Sequence, residues 1–376
     1  MKTIRRIRMF KIMVTTTFGI EAITAKELKA LGYEDLTVEN GKIVFEGDEM
    51  DVAICNIHLR TAERVFIQMA EFKAVTFEEL FQGTKAVDWD RLIPKDGKMH
   101  IIGKSVKSTL HSVPDCQSIV KKAVVEKMKE RYHTDWFSED GPVYKIEVAL
   151  LKDVVTLAID TSGTGLHKRG YRENAGAAPL KETLAAALVL IAKYDGKELL
   201  LDPFCGSGTI PIEAALIAKN IAPGINRGFV SETWPSFDSD IWNQVREGAR
   251  AAVHKNEITI EASDIDGRVI RTARSNARKA GVEDCIHFQT MDMANVSSKK
   301  KNGIIITNPP YGERLMEKDD MKQLYSTFSR VYSNLEGWSC NVLTSYDEFQ
   351  RTFGRKADKN RKLYNGRIQC YYYMYH

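Results

Sequence analysis

Apolar positions near the start of the chain change their period several times. Phe10 to Thr16 is strand-like, and Ile20, Ile23, Leu28 and Leu31 fall at helical spacing before Gly32 ends the run. Leu36–Val38 and Ile43–Phe45 flank the turn Glu39-Asn40-Gly41-Lys42, a hairpin signal, Asp48 is placed to cap a helix through His58, and Arg64 to Phe72 is again strand-like. The order β-α-β-β-α-β predicts a ferredoxin-like unit over residues 1–72. A second small α/β unit follows over 73–162. Phe77, Leu80 and Phe81 mark a helix, Met99–Ser105 a strand, Asp115–Tyr132 a longer helix capped by Asp115, and Tyr144–Leu151 with Val154–Ile159 a hairpin across Lys152-Asp153.

From about Leu166 the pattern becomes one of short apolar runs separated by helical segments. Pro179–Ala192 reads as a helix, and strands are predicted at Glu198–Leu201, Thr259–Ser263, Ile286–Gln289, Ile304–Thr307 and Cys340–Thr344. Such alternation implies a doubly wound, mostly parallel sheet over 163–376. Arg361–Tyr364 and Arg367–Met374, joined at Asn365-Gly366, read as a terminal antiparallel hairpin. The fold class is thus α/β, a Rossmann-like domain preceded by two smaller α/β units.

With 376 residues, 43% hydrophobic and 28% charged, the chain has room for two or three ordinary cores, and neither a disordered nor a fibrous protein fits. No apolar run is long enough to span a bilayer, and the basic start, Arg5, Arg6 and Arg8, runs into Thr15–Thr17 without a cleavage site, so a cytoplasmic protein without a membrane partner is expected. Cys55, Cys116, Cys205, Cys285, Cys340 and Cys370 are scattered, with neither CxxC spacing nor a nearby His, which speaks against a metal or a disulfide framework. The net charge of +4 is modest, but both ends are basic: Arg351, Arg355, Lys356, Lys359, Arg361, Lys362 and Arg367 face Asp358 alone. Together with Lys104, Lys107, Lys121 and Lys122 these residues suit a polyanionic partner; a solvated charged face is the alternative.

Leu199-Leu200-Leu201-Asp202-Pro203-Phe204-Cys205-Gly206-Ser207-Gly208-Thr209 is an apolar strand, a glycine loop and a helix start. A dinucleotide loop would receive a pyrophosphate, which Asp202 would repel, and it would carry a third glycine where Pro211 stands; a P-loop would continue Gly-Lys-Ser/Thr. An acid there instead suits the ammonium and sulfonium of S-adenosylmethionine. Asp264, followed by Ile265, and Asp292, followed by Met293, end the next two strands, placed for ribose hydroxyls and for an adenine amine with Met293 against the ring; either could also be a helix cap. Cys205 admits a rival role as the thiolate of a cytosine-C5 enzyme, but it lies within the cofactor loop, which favours a packing role.

Ile304-Ile305-Ile306-Thr307 leads into Asn308-Pro309-Pro310-Tyr311-Gly312. Two prolines fix a rigid turn, on which the Asn308 side-chain oxygen and the Pro309 carbonyl can accept the two protons of an exocyclic amine while Tyr311 stacks on an extruded base. A purely structural Pro-Pro turn is the alternative.

On these two motifs the chain resembles the THUMP-domain RNA methyltransferases, and most nearly the N-terminal methyltransferase half of the large-subunit ribosomal RNA guanine-N2 enzymes, over nearly its whole length. Lys168-Arg169-Gly170-Tyr171-Arg172, Ala178-Pro179-Leu180-Lys181-Glu182-Thr183-Leu184 and Ile221-Ala222-Pro223-Gly224 are similar to further family segments; the last opens an insertion that runs towards the Asp264 strand. The resemblance implies a THUMP RNA-binding domain at 73–162, a cofactor bordered by Pro179, Leu180 and Thr183, and methyl transfer to guanine N2 in structured RNA, 23S ribosomal RNA or transfer RNA. Asparagine-proline-proline-tyrosine is shared with adenine-N6 enzymes, including DNA methylases, so adenine-N6 transfer is a rival. A non-catalytic RNA-binding or assembly protein is another.

Overall fold

A computed structural model describes residues 8–172, 180–310 and 318–376. The first unit comprises β1 (Phe10–Thr16), α1 (Glu21–Ala30), β2 (Thr37–Glu39), β3 (Lys42–Gly47), α2 (Glu49–His58) and β4 (Ala62–Lys73). Asp48 starts α2 through a capping box: its carboxylate accepts from the Met50 and Asp51 amides, and the Asp51 carboxylate accepts from the Asp48 amide at 2.8 Å. The second unit adds α3 (Phe77–Lys85), β5 (Lys98–Val106), α4 (Val113–Tyr132), β6 (Val143–Leu151) and β7 (Val154–Asp160). Ser112, not Asp115, precedes α4, and Pro114 occupies its first turn. Asp115 therefore sits inside that turn, where its charge still meets the positive helix end.

The seven strands do not form two sheets. They make one, in the order β2-β3-β1-β4-β7-β6-β5, because the long β4 pairs with β1 on one side and with β7 on the other.

The remaining elements are α5 (Glu182–Ile191), β8 (Leu199–Asp202), α6 (Thr209–Ala218), α7 (Ser239–Ala251), β9 (Ile260–Asp264), α8 (Gly267–Ala280), β10 (Ile286–Thr290), β11 (Gly303–Thr307), α9 (Lys318–Ser333), β12 (Trp338–Thr344), α10 (Phe349–Thr352), β13 (Lys359–Asn365) and β14 (Ile368–Tyr375). Their sheet runs β10-β9-β8-β11-β12-β14-β13, parallel except that β14 pairs antiparallel with both its neighbours. The terminal hairpin is present, but its later strand β14 lies inside, between β12 and β13. Burial on both faces explains why Tyr371 to Tyr375 shows no alternation: Tyr372 packs towards α5, donating to the Leu188 carbonyl at 3.1 Å, while Tyr373 and Tyr375 pack against Phe349 on the other face.

The insertion beginning at Ile221 leaves the catalytic unit and completes the core of the N-terminal one. Trp234 stacks on Tyr144 at 4.8 Å and donates its indole N–H to the Val143 carbonyl; Phe237 meets Phe10 at 6.2 Å, and α7 packs on α2. At the turn into it, a Cβ on Gly224 would stand 2.7 Å from the Asn56 carbonyl oxygen, so this position excludes a side chain. Arg60 fastens the same turn by donating to the Ile221 carbonyl at 2.8 Å. The two halves thus share one apolar core cluster.

Candidate active site

Because β8 and β11 are adjacent and parallel, with Ile305 opposite Leu201, the glycine loop and the Pro-Pro turn leave the sheet side by side at its carboxyl edge. A bond joins them directly: the Thr307 hydroxyl donates to the Asp202 carboxylate at 2.6 Å, and the Phe204 amide donates to the same oxygen at 3.2 Å. Asp202 is 1% exposed, and no ion pair reaches it among the described residues. Burial, with a smaller contribution from Asp264, pushes its carboxyl up to about 7.

Gly206 and Gly208 have φ values of +53° and +83°, conformations that L side chains rarely adopt. The loop between them is held from outside. Cys205 donates its amide to the Ser263 carbonyl, the Gly206 amide donates to Asp264 at 3.0 Å, and Asn276 donates to the Ser207 carbonyl at 3.0 Å. Asp264 takes the Asp266 amide on its other oxygen, while Asp266 caps α8, so the capping alternative for Asp264 falls away. Asp292 does cap a short turn, accepting from the Ala294 amide, yet stays exposed; Met293 beside it is buried in an apolar cluster. Ile265 is 71% exposed beside Asp264. Cys205 is buried, and burial with the nearby Asp202 and Asp264 pushes its thiol far up, which removes the thiolate that cytosine-C5 chemistry needs.

Leu180, Thr183, Pro203 and Thr209 are buried around this loop. Arg172 donates to the Thr209 hydroxyl and to the Leu180 carbonyl, and so ties the 168–172 segment to the start of α6. Thr183 and Lys181 both reach Glu63 of β4, at 2.8 and 2.9 Å. Burial opposes ionisation of Glu63, but hydrogen bonds from His167, Lys181 and Thr183 hold its carboxyl down to about 2.

Asn308 follows Thr307, and its side-chain oxygen is buried without a hydrogen-bond partner among the described residues. Pro309 is buried and Pro310 half-buried. The turn is braced from behind by Tyr325 of α9, whose hydroxyl donates to the Pro310 carbonyl at 3.3 Å and meets the Thr344 hydroxyl at 2.9 Å; the Tyr346 amide donates to Thr344 in turn. Tyr325 and Thr307 carried no signal in the sequence beyond helix and strand periodicity. Tyr325→Phe should cost roughly 1–3 kcal/mol of stability, read by urea unfolding, since it takes a hydrogen-bond partner from the buried Thr344 hydroxyl. Tyr311 and Pro179, both expected at this site, lie outside the described residues.

The four expected RNA-binding lysines are not brought into one patch. Lys104 pairs with Glu147 at 2.8 Å on the sheet face away from α4, whereas Lys121 bonds the Met99 carbonyl and Glu139, and Lys122 lies 5.8 Å over the Phe81 ring. Lys107 ends β5 with a φ of +50°. Among the described residues, no group of three or more metal-ligating side chains could hold a metal ion, and no helix is long and apolar enough to cross a membrane.

Comparison with known proteins agrees with this architecture. Residues 11–66 match the RlmL ferredoxin-like domain, 74–160 the THUMP domain and 169–374 the RMKL-like methyltransferase domain. YpsC of Bacillus subtilis (strain 168), named as a candidate RNA methyltransferase, is 51% identical over 369 residues, covering 97% of this chain and 96% of its own. A crystal structure from Listeria monocytogenes str. 4b F2365, described as a predicted N6-adenine-specific DNA methylase, is 48% identical with a TM-score of 0.94 over 98% of this chain and 96% of that one. SMU.472, a candidate methyltransferase solved in complex with SAH, is 43% identical with a TM-score of 0.94 over 98% of both chains. With a glycine loop and an Asn-Pro-Pro turn bonded together at one sheet edge, and with these matches along its length, the chain belongs to the RMKL-like methyltransferase family, carrying an RlmL-type ferredoxin-like domain and a THUMP domain ahead of the catalytic one.

Proposed function

We propose that this chain is an S-adenosylmethionine-dependent, cytoplasmic RNA methyltransferase that acts on the exocyclic N2 amine of a guanine, with 23S ribosomal RNA as its substrate. The observation that carries the reading is the buried Asn308 oxygen, without a partner among the described residues and one residue from the Thr307–Asp202 bond. An acceptor left unpaired in a protein interior costs roughly 1–3 kcal/mol, and an amine donor offsets that cost. Asn308 and the Pro309 carbonyl together accept both amine protons, which turns the nitrogen lone pair out of the ring and stabilises positive charge as it develops.

The cofactor supplies a methyl group on a positively charged sulfur. The residues fit such a ligand: Asp202 is a buried carboxyl with no cation beside it among the described residues, Gly206 and Gly208 leave backbone uncovered, and Ile265 presents an apolar side chain beside Asp264. Asp202, the 205–208 loop, Asp264, Ile265 and Asp292 would hold it. A cationic ligand favours ionised Asp202, so affinity should be full above about pH 7 and weaken below it, approaching a tenfold loss per pH unit. Isothermal titration of the wild type and Asp202→Asn between pH 5.5 and 8 checks this; a flat wild-type profile counts against the assignment. Without cofactor the sign is opposite. The raised carboxyl contributes stability below its ordinary range, and that contribution is lost as pH rises through about 7.

The resemblance of the sequence motifs to the large-subunit ribosomal RNA guanine-N2 enzymes, alongside the RlmL ferredoxin-like match, favours guanine N2 in ribosomal RNA. The Listeria relative's description favours adenine N6 as a second reading. Incubation with methyl-labelled cofactor and total RNA or total DNA, followed by nucleoside analysis, separates them. Label in N2-methylguanosine from RNA is the expected result, and label in N6-methyladenine replaces the first reading by the second.

A further inference from the structure

The cofactor-facing acids and the glycine loop end β8, β9 and β10, and Asn308 ends β11, which leaves β12, β14 and β13 as the other half of the same carboxyl edge. There the terminal hairpin overshoots its neighbour. The last residue of β12, Thr344, pairs with Tyr371, and three further pairs follow: Leu363 with Cys370, Tyr364 with Gln369, and Asn365 with Ile368. At the usual rise these extend the hairpin roughly 10 Å past the end of β12.

The overhang is firmly rooted. Leu363 and Cys370 are fully buried, and Leu363 shares a core with Ile20 from the loop between β1 and α1. Gly19 in that loop lies so close that a Cβ would stand 2.7 Å from the Lys362 carbonyl oxygen, and Arg361 donates to the Gly19 carbonyl at 3.4 Å. Phe18, beside it, is 57% exposed.

The tip has one sign of charge and is only partly covered. From Lys359 to His376 there is no acidic residue. Lys362 and Arg367 are exposed and pair with no carboxylate among the described residues, the Lys362 ammonium lies 5.5 Å over the Tyr364 ring, and Ile368 is 47% exposed. Cations that bind phosphates, beside a ring that bases can stack on, are what a single nucleic-acid strand requires. By contrast, Arg355 is spent internally, against Asp358 and the Tyr375 ring.

We infer that the overhanging β13–β14 tip, with Lys362, Tyr364 and Arg367, grips the RNA strand immediately flanking the base delivered to Asn308. This inference rests on the RNA reading above. It assigns to the catalytic domain a strand contact separate from the THUMP domain.

The test compares wild type, Lys362→Gln/Arg367→Gln, Tyr364→Ser, and Lys299→Gln/Lys300→Gln, which removes the same charge from an exposed loop ahead of β11, at the opposite edge of the sheet. Fluorescence anisotropy with total ribosomal RNA over a salt series gives affinity and its slope, and methyl transfer gives KM for RNA. Losing two single-strand phosphate contacts should reduce the log–log salt slope by about 1.4. In the hairpin double variant and in Tyr364→Ser, KM for RNA should rise at least about tenfold, while cofactor affinity and Tm stay at wild-type values, since the buried root is untouched. An unaltered slope and KM in the hairpin variants overturns the inference, as does an equal drop in the Lys299/Lys300 variant, which would make the effect one of net charge. If the wild type transfers no methyl to RNA, the RNA reading fails, and the hairpin is decided by the salt slopes alone.

Discussion

Asn308→Ala should reduce methyl transfer by roughly a hundredfold or more while leaving cofactor affinity where it was, the usual scale for losing one group that acts on the transition state. Its physical basis is that the side-chain oxygen bonds no partner among the described residues. Removing it breaks no native contact through that atom and takes away an unpaired buried acceptor, so thermal stability should stay level or rise slightly. Single-turnover rates with saturating cofactor, read beside a melting curve, test both halves. Turnover within a few-fold of wild type would take Asn308 out of the chemistry and return the Pro-Pro turn to a structural role.

Trp234→Ala should destabilise the whole chain by about 3–5 kcal/mol, the range for emptying a large aromatic from a core. Trp234 is 1% exposed, stacked on Tyr144, in edge contact with Phe237 and bonded to the Val143 carbonyl. It belongs by sequence to the catalytic half and by packing to the N-terminal half. Urea unfolding should show a lower midpoint for both halves together; a shift confined to one of two separate transitions would contradict the shared core. For the same reason, removal of residues 1–160 is not a simple loss of an RNA-binding module. It would expose Phe229, Trp234, Phe237 and Trp242 at once, and such an apolar surface leads to aggregation. Point substitutions, such as those in the hairpin, are the sound way to dissect RNA contact here.

Local pattern alone determined a good deal. The β-α-β-β-α-β order, the cap at Asp48, the short apolar runs of the second sheet and the closing hairpin depend on periodicity and turn chemistry within a few residues, and the structure reproduces them within a residue or two. The two chemical segments were legible for the same reason: a glycine loop behind Asp202 and an Asn-Pro-Pro turn are local solutions to local problems. What tertiary structure alone decided concerns partners far apart in the chain. Nothing near position 307 announces that its hydroxyl bonds Asp202, nothing near 325 that it braces Pro310, and the lysines at 104, 121 and 122, close in number, are divided between two faces by a strand's alternation and a helix's placement. The insertion after Ile221 is the extreme case. Its aromatic residues show that something must cover them, but which core they join depends on a surface contributed by residues far earlier in the chain, from Tyr144 back to Phe10, and only the folded chain brings that surface into reach.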